Sequence, residues 1–411
     1  MPQSRSRTFS ARKSPSSNNG GRPASRRFNR PANRNQKGPR KAFINPSKFI
    51  NRTPTAARVV AYEPTHQFTD FALVPSLQKN LAQIGFTTPS AIQDQAIPLA
   101  LQGHDILGLA NTGTGKTAAF LLPILNQLAS TRETMSVLVM APTRELAQQI
   151  NDEARRFSAG MKLYSTVVVG GTNIERQIRE IKRRPHIIIG TPGRLKDLED
   201  RGALRFDTIK HFVLDEADRM LDMGFIADIR RVASLLPTDR QTLCFSATIT
   251  PAIQTLVGEF LTNPEVISVR TGETSDHVLQ DIIEATDKAH KHELLTAMLQ
   301  KDEFEKVLVF GETKFGVQRL ADSLGKSGIT SEAIHGNKSQ SQRQRALNAF
   351  KANRVKVLVA TDVAARGLDI PNVSHVINFD TPATYEDYVH RIGRTGRGGA
   401  HGTAYTFIDK K

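Results

Sequence analysis

Short apolar runs alternate with longer amphipathic stretches along most of the chain after Ala61. The runs are rich in Val, Ile and Leu and are almost continuously apolar, which is typical of parallel strands that are covered on both faces. Helical stretches such as Glu145–Phe157 lie between them. The predicted strands form a first series, Asp105–Ala110, Val137–Ala141, Thr166–Val169, His186–Ile189, His211–Leu214 and Gln241–Phe245, and a second series, Lys306–Phe310, Lys356–Ala360, His375–Phe379 and Thr403–Phe407.

The two series predict two consecutive α/β domains, each built on a parallel sheet. The segment Ser268–Val278 between them is polar and contains glycine, so we predict a linker there. The domains are then expected at 61–270 and 271–411. Ligands of open parallel sheets bind beyond the carboxyl ends of the strands. Two such domains facing each other would bring both sets of strand-end loops to one cleft.

The positive charge of the chain is concentrated in its first 60 residues. That segment holds 15 of the 56 Lys and Arg residues and no Asp or Glu, whereas the remaining 41 basic residues nearly balance 40 acidic ones. Residues 1–60 are therefore predicted to form a disordered basic arm with a salt-sensitive attraction to polyanions. We favour an arm that binds nucleic acid. A solubilising leader and an organelle transit peptide remain as alternatives, although prolines and glycines interrupt any long amphipathic helix there.

The single cysteine, Cys244, excludes an internal disulfide and suits a reducing compartment. Its strand context favours a buried small hydrophobe over a reactive thiol. No apolar stretch approaches the roughly 18 residues that span a bilayer, and no apolar leader precedes the arm. The sequence therefore predicts a cytoplasmic protein without a membrane segment.

A phosphate-binding loop follows the first predicted strand and precedes a helical stretch, Ala118–Leu122. Its glycines let backbone N–H groups point at phosphates, and the helix N-terminus adds favourable partial charge. Lys116 is expected to reach the β- and γ-phosphates and Thr117 to bind Mg²⁺. The loop fits the P-loop pattern except that alanine replaces the first glycine. Its predicted ATP-binding residues are Ala110, Asn111, Thr112, Gly113, Thr114, Gly115, Lys116 and Thr117.

An apolar strand ends in two adjacent carboxylates, Asp215 and Glu216. A solvated acidic loop is the simplest interpretation of such a pair. With a P-loop upstream, we favour a site in which Asp215 holds Mg²⁺, through water, and Glu216 polarises the attacking water.

With Asp215-Glu216-Ala217-Asp218 in place, the chain resembles the DEAD-box RNA helicases of superfamily 2 from Gln67 to Ile408. The resemblance implies two tandem RecA-like domains, ATP and Mg²⁺ as cofactors, and RNA as partner. A segment at about 66–94 is similar to the family's Q motif. The resemblance implies that Gln93 reads the adenine edge and that Phe68 stacks on the ring, although Phe68 taken by itself is interpreted as a core residue.

Further motifs follow in the family's order. The positions that match the family's RNA-contacting elements are Pro142, Arg144, Gly171, Thr191, Arg194, Arg343 and Thr361. The positions that match elements coupling hydrolysis to strand separation are Asp218, Ser246, Thr248, His390 and Arg391. The hydroxyls of Ser246 and Thr248 are expected near Asp218, and Arg391 is expected to contact the acidic run.

The same resemblance makes Asp362 an acceptor for the ATP ribose hydroxyls, Arg394 a γ-phosphate contact and Arg397 an arginine finger. Lys116, Asp215, Glu216 and these two arginines form the expected catalytic set. Because they are divided between the domains, ATP and RNA are expected to close the cleft cooperatively. Closure is then expected to open a short RNA duplex locally, with 2′-hydroxyl contacts favouring RNA over DNA.

Three other functions compete with an active helicase. An ATP-gated RNA clamp or chaperone would share every motif, whereas an inactive scaffold is disfavoured by the intact Lys116 and Glu216. A GTPase is disfavoured because Asn337-Lys338 continues into Ser339-Gln340 rather than a guanine-reading motif. No RNA-binding module is evident after the second domain. Partner choice is then expected to fall to the arm or to ribonucleoprotein or RNA-decay partners, with the protein itself a monomer.

Overall fold

The computed structural model describes residues 44–52, 62–111, 113–269, 278–365, 370, 372–396 and 402–410. The first domain comprises α1 (Pro75–Gln83), α2 (Ala91–Leu101), β1 (Ile106–Ala110), α3 (Lys116–Thr131), β2 (Val137–Met140), α4 (Arg144–Phe157), β3 (Ser165–Val168), α5 (Ile174–Lys182), β4 (Ile187–Gly190), α6 (Pro192–Asp200), β5 (His211–Leu214), α7 (Ala217–Asp222), α8 (Ile226–Ala233), β6 (Gln241–Ser246), α9 (Pro251–Phe260) and β7 (Glu265–Val269). The second comprises β8 (Val278–Ala285), α10 (Lys288–Leu299), β9 (Val307–Phe310), α11 (Lys314–Lys326), β10 (Ser331–Ile334), α12 (Gln340–Lys351), β11 (Val357–Ala360), α13 (Asp362–Ala365), β12 (His375–Asn378), α14 (Tyr385–Ile392) and β13 (Gly402–Asp409).

Each domain is built on one parallel sheet. The first sheet has the strand order β3-β4-β2-β5-β6-β1-β7, and the second has the order β10-β11-β9-β12-β13-β8. All the pairings within both sheets are parallel. The predicted pair of parallel-sheet α/β domains is therefore confirmed.

Both faces of each sheet are buried, which explains the continuously apolar strands. In β2, Val137 and Val139 enter one core layer of the first domain, and Leu138 and Met140 enter the other. The second sheet divides its strands in the same way, with Leu308 in one layer and Val309 in the other. The carboxyl ends of all these strands point to one edge of their sheet, where the polar motifs lie.

Side-chain caps fix where several helices at this edge begin. Thr143 accepts a hydrogen bond from the N–H of Leu146 at 3.2 Å and starts α4. Ser339 and Gln342 form a capping box that starts α12. Such caps satisfy the N–H groups that the first helical turn leaves without partners. They hold the loops that precede these helices in defined positions.

The N-terminal arm was predicted to extend to residue 60, and its end needs correction. A short 3₁₀ helix, Pro46–Phe49, packs on the second domain, and Phe49 is buried in that core against the ring of Tyr388, 4.7 Å away. Asn51 exchanges backbone hydrogen bonds of 2.8 and 2.9 Å with Gln280. Apolar and backbone partners therefore order residues 44–52, which charge alone did not reveal. Residues 1–43 and 53–61 lie outside the described part.

The structure describes only part of the predicted boundary between the two domains. The predicted linker Ser268–Val278 begins inside β7 and ends at the first residue of β8, and its centre lies outside the described residues. The domain limits at 61–270 and 271–411 stay predictions. In the described part of the chain, no helix combines the length and apolar character that a bilayer crossing requires.

Candidate ATP and RNA site

The phosphate-binding loop leaves β1 and enters α3 at the predicted place. Ala110 is the last residue of β1, an extended position that alanine adopts without strain, so the missing first glycine is tolerated. Gly115 has φ +91°, a left-handed conformation that favours glycine. The buried amine of Lys116 donates to the carbonyl of Ala110 at 3.0 Å. Thr112 lies outside the described residues.

The Q motif is hydrogen-bonded to this loop. The amide nitrogen of Gln93 donates to the carbonyl of Gly115 at 3.1 Å, and its amide oxygen accepts from the N–H of Ser90 at 2.9 Å. The Ser90 hydroxyl donates to the carbonyl of Thr114 at 2.6 Å. A side-chain amide has two donors and two lone pairs, so Gln93 keeps one of each for an adenine edge. The base-reading residue and the phosphate loop thus form one connected unit.

Phe68 lies in the core of the first domain, with 4% of its surface exposed. Its ring packs edge-on against Phe71 at 5.7 Å and tilts against Phe86 at 5.5 Å. This burial matches the alternative in which Phe68 is a core residue. Stacking on adenine stays a prediction.

The acidic run follows β5 and is buried, with Asp215, Glu216 and Asp218 each less than a tenth exposed. Burial raises the pKa of the Asp215 carboxyl, the charge of Lys116 opposes this, and the neighbouring Glu216 adds to it. Burial also acts to raise the pKa of Asp218, but Lys116, Arg219 and a backbone N–H outweigh it and lower that pKa. Asp215 is therefore a buried carboxylate whose charge is incompletely compensated, whereas Asp218 is held as an anion.

Asp218 holds the motif that follows β6. Its Oδ2 accepts from the N–H of Ala247 and of Thr248 at 3.0 Å each and from the Thr248 hydroxyl at 3.2 Å. The Ser246 hydroxyl does not join this contact, because it donates to the carbonyl of Thr248 at 2.7 Å. Nearby Cys244 is fully buried, and burial raises the pKa of its thiol to about 12. This pKa suits an inert packing residue.

In the second domain, the expected contact between Arg391 and the acidic run is not made. The Arg391 guanidinium instead donates two hydrogen bonds, of 2.6 and 2.7 Å, to the carboxylate of Asp362. It also donates to the Asn378 side chain at 3.1 Å and to the carbonyl of Asp380 at 2.7 Å, and it lies over the ring of Phe310. These partners share its own domain and satisfy a buried, planar set of donors. Its neighbour His390 comes close to the acidic run, because it contacts Arg219 directly after that run.

Arg394 is 4% exposed and lines a small cleft together with Asp362, His390 and Arg391. Asp362 is half-buried there, so the expected ribose acceptor and the expected γ-phosphate contact share one cleft of the second domain. Arg397, the expected finger, lies outside the described residues.

Motifs of the two domains touch each other directly. Nη2 of Arg219, next to the acidic run, lies 3.4 Å from Nδ1 of His390. Glu145 accepts a hydrogen bond from Gln340 at 3.3 Å and pairs with Arg343 at 2.9 Å. In the first domain, α7 therefore faces α14 of the second domain, and α4 faces α12.

Comparison with known proteins agrees with this geometry. Residues 90–256 match the family model "DEAD/DEAH box helicase", and residues 290–399 match "Helicase conserved C-terminal domain". The chain is 45% identical over 342 residues to the DEAD-box ATP-dependent RNA helicase CshA of Geobacillus kaustophilus, covering 83% of this chain and 73% of that protein. The chain belongs to the DEAD-box ATP-dependent RNA helicases.

Solved helicase structures support the RecA-like fold. S. cerevisiae Dbp5 bound to RNA and ADP BeF3 is similar with a TM-score of 0.73 and 32% identity, over 84% of this chain and 90% of that one. Mss116p bound to ssRNA and AMP-PNP has a TM-score of 0.73 and 31% identity, over 82% of this chain and 73% of that one. This DEAD-box helicase is accordingly an enzyme that uses ATP and binds RNA.

Most of this helicase's predicted RNA-contacting residues lie just after the carboxyl ends of the strands, in the loops and helices that follow them. In the first domain these are Pro142 after β2, Gly171 after β3, Thr191 after β4 and Arg194 in α6. Gly171 has φ +72°, and a Cβ there would lie 2.6 Å from Cζ of Arg144, so glycine lets that guanidinium lie across the loop. Arg194 donates to Gln177 at 3.2 Å. Contact with RNA remains a prediction for each.

The two predicted RNA residues of the second domain behave differently. Thr361 follows β11 and is half-buried at the sheet edge. The Arg343 guanidinium is directed to Glu145 of the first domain, and burial lowers its pKa while Glu145 opposes that shift. Arg343 therefore has a partner within the protein besides any RNA.

Sequence reasoning missed two residues that organise the site. Arg219 was passed over, although it lies in the first turn of α7, three residues after Glu216, which directly precedes that helix. Asp94, directly after Gln93, accepts hydrogen bonds from Tyr62 at 2.5 Å, from Thr65 at 2.9 Å and from the N–H of His66 at 3.2 Å. A lone acid in a helix carries no pattern that predicts such contacts.

Proposed function

We propose that this helicase opens short RNA duplexes locally and remodels ribonucleoprotein complexes through ATP-driven closure of its two domains. The observation that carries the proposal is the direct contact between motifs of different domains, at Arg219–His390 and at Glu145–Arg343. Contacts of this kind form only when the domains are together. Closure can therefore complete the ATP site and reshape the RNA path in one step.

In the proposed ATP site, Lys116 neutralises the β- and γ-phosphates and Glu216 orients the attacking water. Gln93 supplies one donor and one acceptor to the adenine edge, and the ring of Phe68 is proposed to stack on the face of the adenine ring. From the second domain, Asp362 accepts from the ribose and Arg394 and Arg397 meet the γ-phosphate. The transition state carries charge on the transferring phosphoryl oxygens, which these cations stabilise.

The residues at the acidic run fit a Mg²⁺ ion. Asp215 is a buried carboxylate directly after β5, and burial raises its pKa although Lys116 acts to lower it. The hydroxyl of Thr117, in the first turn of α3, is the second expected ligand. No group of three or more His, Cys, Asp or Glu side chains suited to a metal occurs among the described residues, so phosphates and water would supply the other ligands. Bound there, the cation would stabilise phosphate charge.

The proposed RNA path crosses the strand ends of both domains. Pro142, Arg144, Gly171, Thr191 and Arg194 are assigned to the RNA backbone on the first domain. Arg343 and Thr361 are assigned to it on the second. Dbp5 and Mss116p have been solved bound to RNA and ssRNA, respectively, and share this fold. Backbone and 2′-hydroxyl contacts would favour RNA over DNA without reading sequence.

We further propose that the protein acts as a cytoplasmic monomer whose partners are single-stranded RNA, short RNA duplexes and ribonucleoprotein or RNA-decay complexes. The domains are proposed to divide near residue 270. Residues 1–41 carry 12 Lys and Arg residues and no acids, which supports a role of that segment in RNA attraction.

Parallel assays of ATP hydrolysis and duplex release test the function. A short RNA duplex with a single-stranded extension should stimulate ATP turnover and be separated, whereas a DNA duplex should do neither. Glu216→Gln should abolish both activities while retaining ATP binding. Normal RNA-stimulated turnover without strand release would instead favour an RNA clamp. Hydrolysis and duplex release that proceed equally well with GTP and with ATP would contradict the proposed role of Gln93.

A further inference from the structure

Arg219 connects a catalytic carboxylate of the first domain to a histidine of the second. The side chain is 3% exposed, and its Nη1 donates to Oε2 of Glu216 at 2.9 Å. Its Nη2 lies 3.4 Å from Nδ1 of His390. A guanidinium has donors and no acceptor, so Nδ1 of His390 must accept.

The local backbone explains why Glu216 needs a second group to fix it. Glu216 has φ +53°, a left-handed conformation that is strained for a residue with a side chain. It precedes α7 and its side chain makes no capping hydrogen bond there. Arg219 follows one helical turn later and grips one carboxylate oxygen, Oε2. The carboxylate is thereby oriented while Oε1 is not engaged by Arg219 and can accept from a water molecule.

The contact with His390 extends this arrangement across the domain interface. α7 carries Arg219 in the first domain, and α14 carries His390 in the second. Separation of the domains removes the imidazole and leaves the guanidinium with one of these two partners. The orientation of Glu216 then depends on whether the second domain is in place.

We propose that Arg219 is a positioning residue that couples domain closure to the orientation of Glu216. The inference rests on the proposed role of Glu216 in hydrolysis and adds a physical connection between that role and the second domain. Coupling between the two contacts is reciprocal, so a well-placed Glu216–Arg219 pair also favours the closed arrangement. Arg219 itself need not touch ATP.

A double-mutant cycle on the full-length protein tests the inference, with saturating single-stranded RNA and ATP as ligands. Arg219→Gln is expected to lower kcat about 10- to 100-fold and to change KM for ATP less than about threefold. Arg219→Lys, which keeps a buried cation but loses the two-pronged geometry, should recover part of kcat. Arg230→Gln is the matched control, because Arg230 pairs with Glu259 on the exposed surface at 2.6 Å. It should leave both constants unchanged.

The combination with His390→Ala distinguishes positioning from a merely structural role. If Arg219 acts through the interdomain contact, Arg219→Gln should cost several-fold less in kcat when His390 is already alanine. Multiplicative losses would overturn the inference. So would full activity of Arg219→Lys beside a misfolded Arg219→Gln, since the cation alone would then suffice.

The same measurements distinguish a failure of the proposed role of Arg219 from a failure of the proposed role of Glu216 in hydrolysis. Glu216→Gln is measured in parallel and should be inactive. Inactive Glu216→Gln with unimpaired Arg219→Gln would leave the proposed hydrolysis mechanism intact and remove only the role of Arg219. Active Glu216→Gln would overturn the catalytic assignment and, with it, the inference.

Discussion

Glu145 of the first domain and Arg343 of the second form a buried ion pair, with Oε2 and Nη2 2.9 Å apart and their side chains 2% and 10% exposed. Glu145 belongs to the segment after β2 and Arg343 to α12, so both flank the proposed RNA path. The pair can form only between closed domains. It therefore contributes to the free energy of closure rather than to the folding of either domain.

Glu145→Gln is expected to weaken the closed state selectively. The substitution keeps the side-chain shape but leaves Arg343 buried without its counter-charge, which costs up to roughly 3–5 kcal/mol in buried pairs. Affinity for single-stranded RNA with a non-hydrolysable ATP analogue should fall at least about tenfold, the equivalent of about 1.4 kcal/mol. Fluorescence anisotropy measures it.

The same titration without nucleotide provides the comparison. There the affinity should stay within about twofold, since the domains are not held closed. Glu259→Gln removes the carboxylate of a surface pair and should change neither affinity. Equal weakening with and without nucleotide would show that Glu145 acts within the first domain alone.

Phe49→Ala is expected to destabilise the second domain. The ring is 1% exposed and packs in a core with Tyr388, and replacing a buried Phe by Ala typically costs about 3–5 kcal/mol. The free energy of unfolding, measured in urea, should fall by at least about 2 kcal/mol. This is less than the full cost of removing a buried Phe ring, because the short segment can also detach from the domain. Lys48→Ala, at a largely exposed neighbouring position, is the control. An unchanged unfolding midpoint would mean that Pro46–Phe49 does not belong to this domain.

The anchoring of Phe49 also changes how the basic arm is tested. A truncation through residue 60 removes the anchor together with the charge. Removing Met1–Lys41 takes 12 Lys and Arg residues and spares Phe49. RNA affinity should then fall and depend less steeply on salt, with maximal ATP turnover unchanged.

Asp94→Asn is expected to destabilise the first domain in a pH-dependent way. Burial acts to raise the pKa of Asp94, but hydrogen bonds from Tyr62, Thr65 and His66 lower it to about 2. A lowered folded-state pKa gives stability that is present above the unfolded pKa of about 4 and lost as pH falls toward 2. At pH 7, the free energy of unfolding of the variant should be about 2 kcal/mol lower than that of the wild type.

Urea unfolding of the wild type and Asp94→Asn between pH 7 and pH 3 provides the measurement. The difference between the two should narrow as the pH falls below about 4, when the wild-type carboxyl of the unfolded chain is already protonated. Asp70→Asn, at an exposed acid of the same region, should lack this large effect. A difference that is independent of pH would assign the loss to packing rather than to the charge of Asp94.

Gly115→Ala is expected to weaken ATP binding strongly without unfolding the domain. The residue has φ +91°, and an added Cβ would overlap the amide of Gln93. The strain would shift both the phosphate loop and the base-reading amide. Calorimetric titration with ATP should show at least about a hundredfold loss, in keeping with glycine's role in cradling phosphates. Gly258→Ala, in a helix with no atom near the added Cβ, should bind ATP normally.

The strands that sequence reasoning found are mostly those buried on both faces. The three that it missed, β7, β8 and β10, all lie at sheet edges. Their residues mix polar and apolar positions, as in Glu265–Val269, because an edge strand faces solvent. A search for continuous apolar runs cannot detect such strands. The two-domain fold nevertheless followed, since the central strands determine it.

The site was predictable to the extent that its residues belong to ordered motifs. The loop at Ala110–Thr117 and the acids after β5 lie at strand ends, as the pattern implied. Pairings between distant residues were not predictable, and Arg391 took Asp362 as its partner rather than the acidic run. Spacing assigned Phe68 to adenine, whereas its ring lies in the core of the first domain, so the stacking contact stays a prediction. Side-chain partners depend on packing, which a motif does not encode.

Arg394→Ala tests whether the ATP site is divided between the two domains. Arg394 lies in the second domain, whereas Lys116 and Glu216 lie in the first. The measurement is ATP turnover by the full-length variant at saturating RNA, with Arg394→Lys beside it and ATP affinity measured in parallel. If the site is divided, Arg394→Ala lowers turnover about 10³-fold or more while ATP affinity changes only a few-fold. Turnover within about threefold of the wild type would contradict it, because the first domain would then hydrolyse ATP without that arginine.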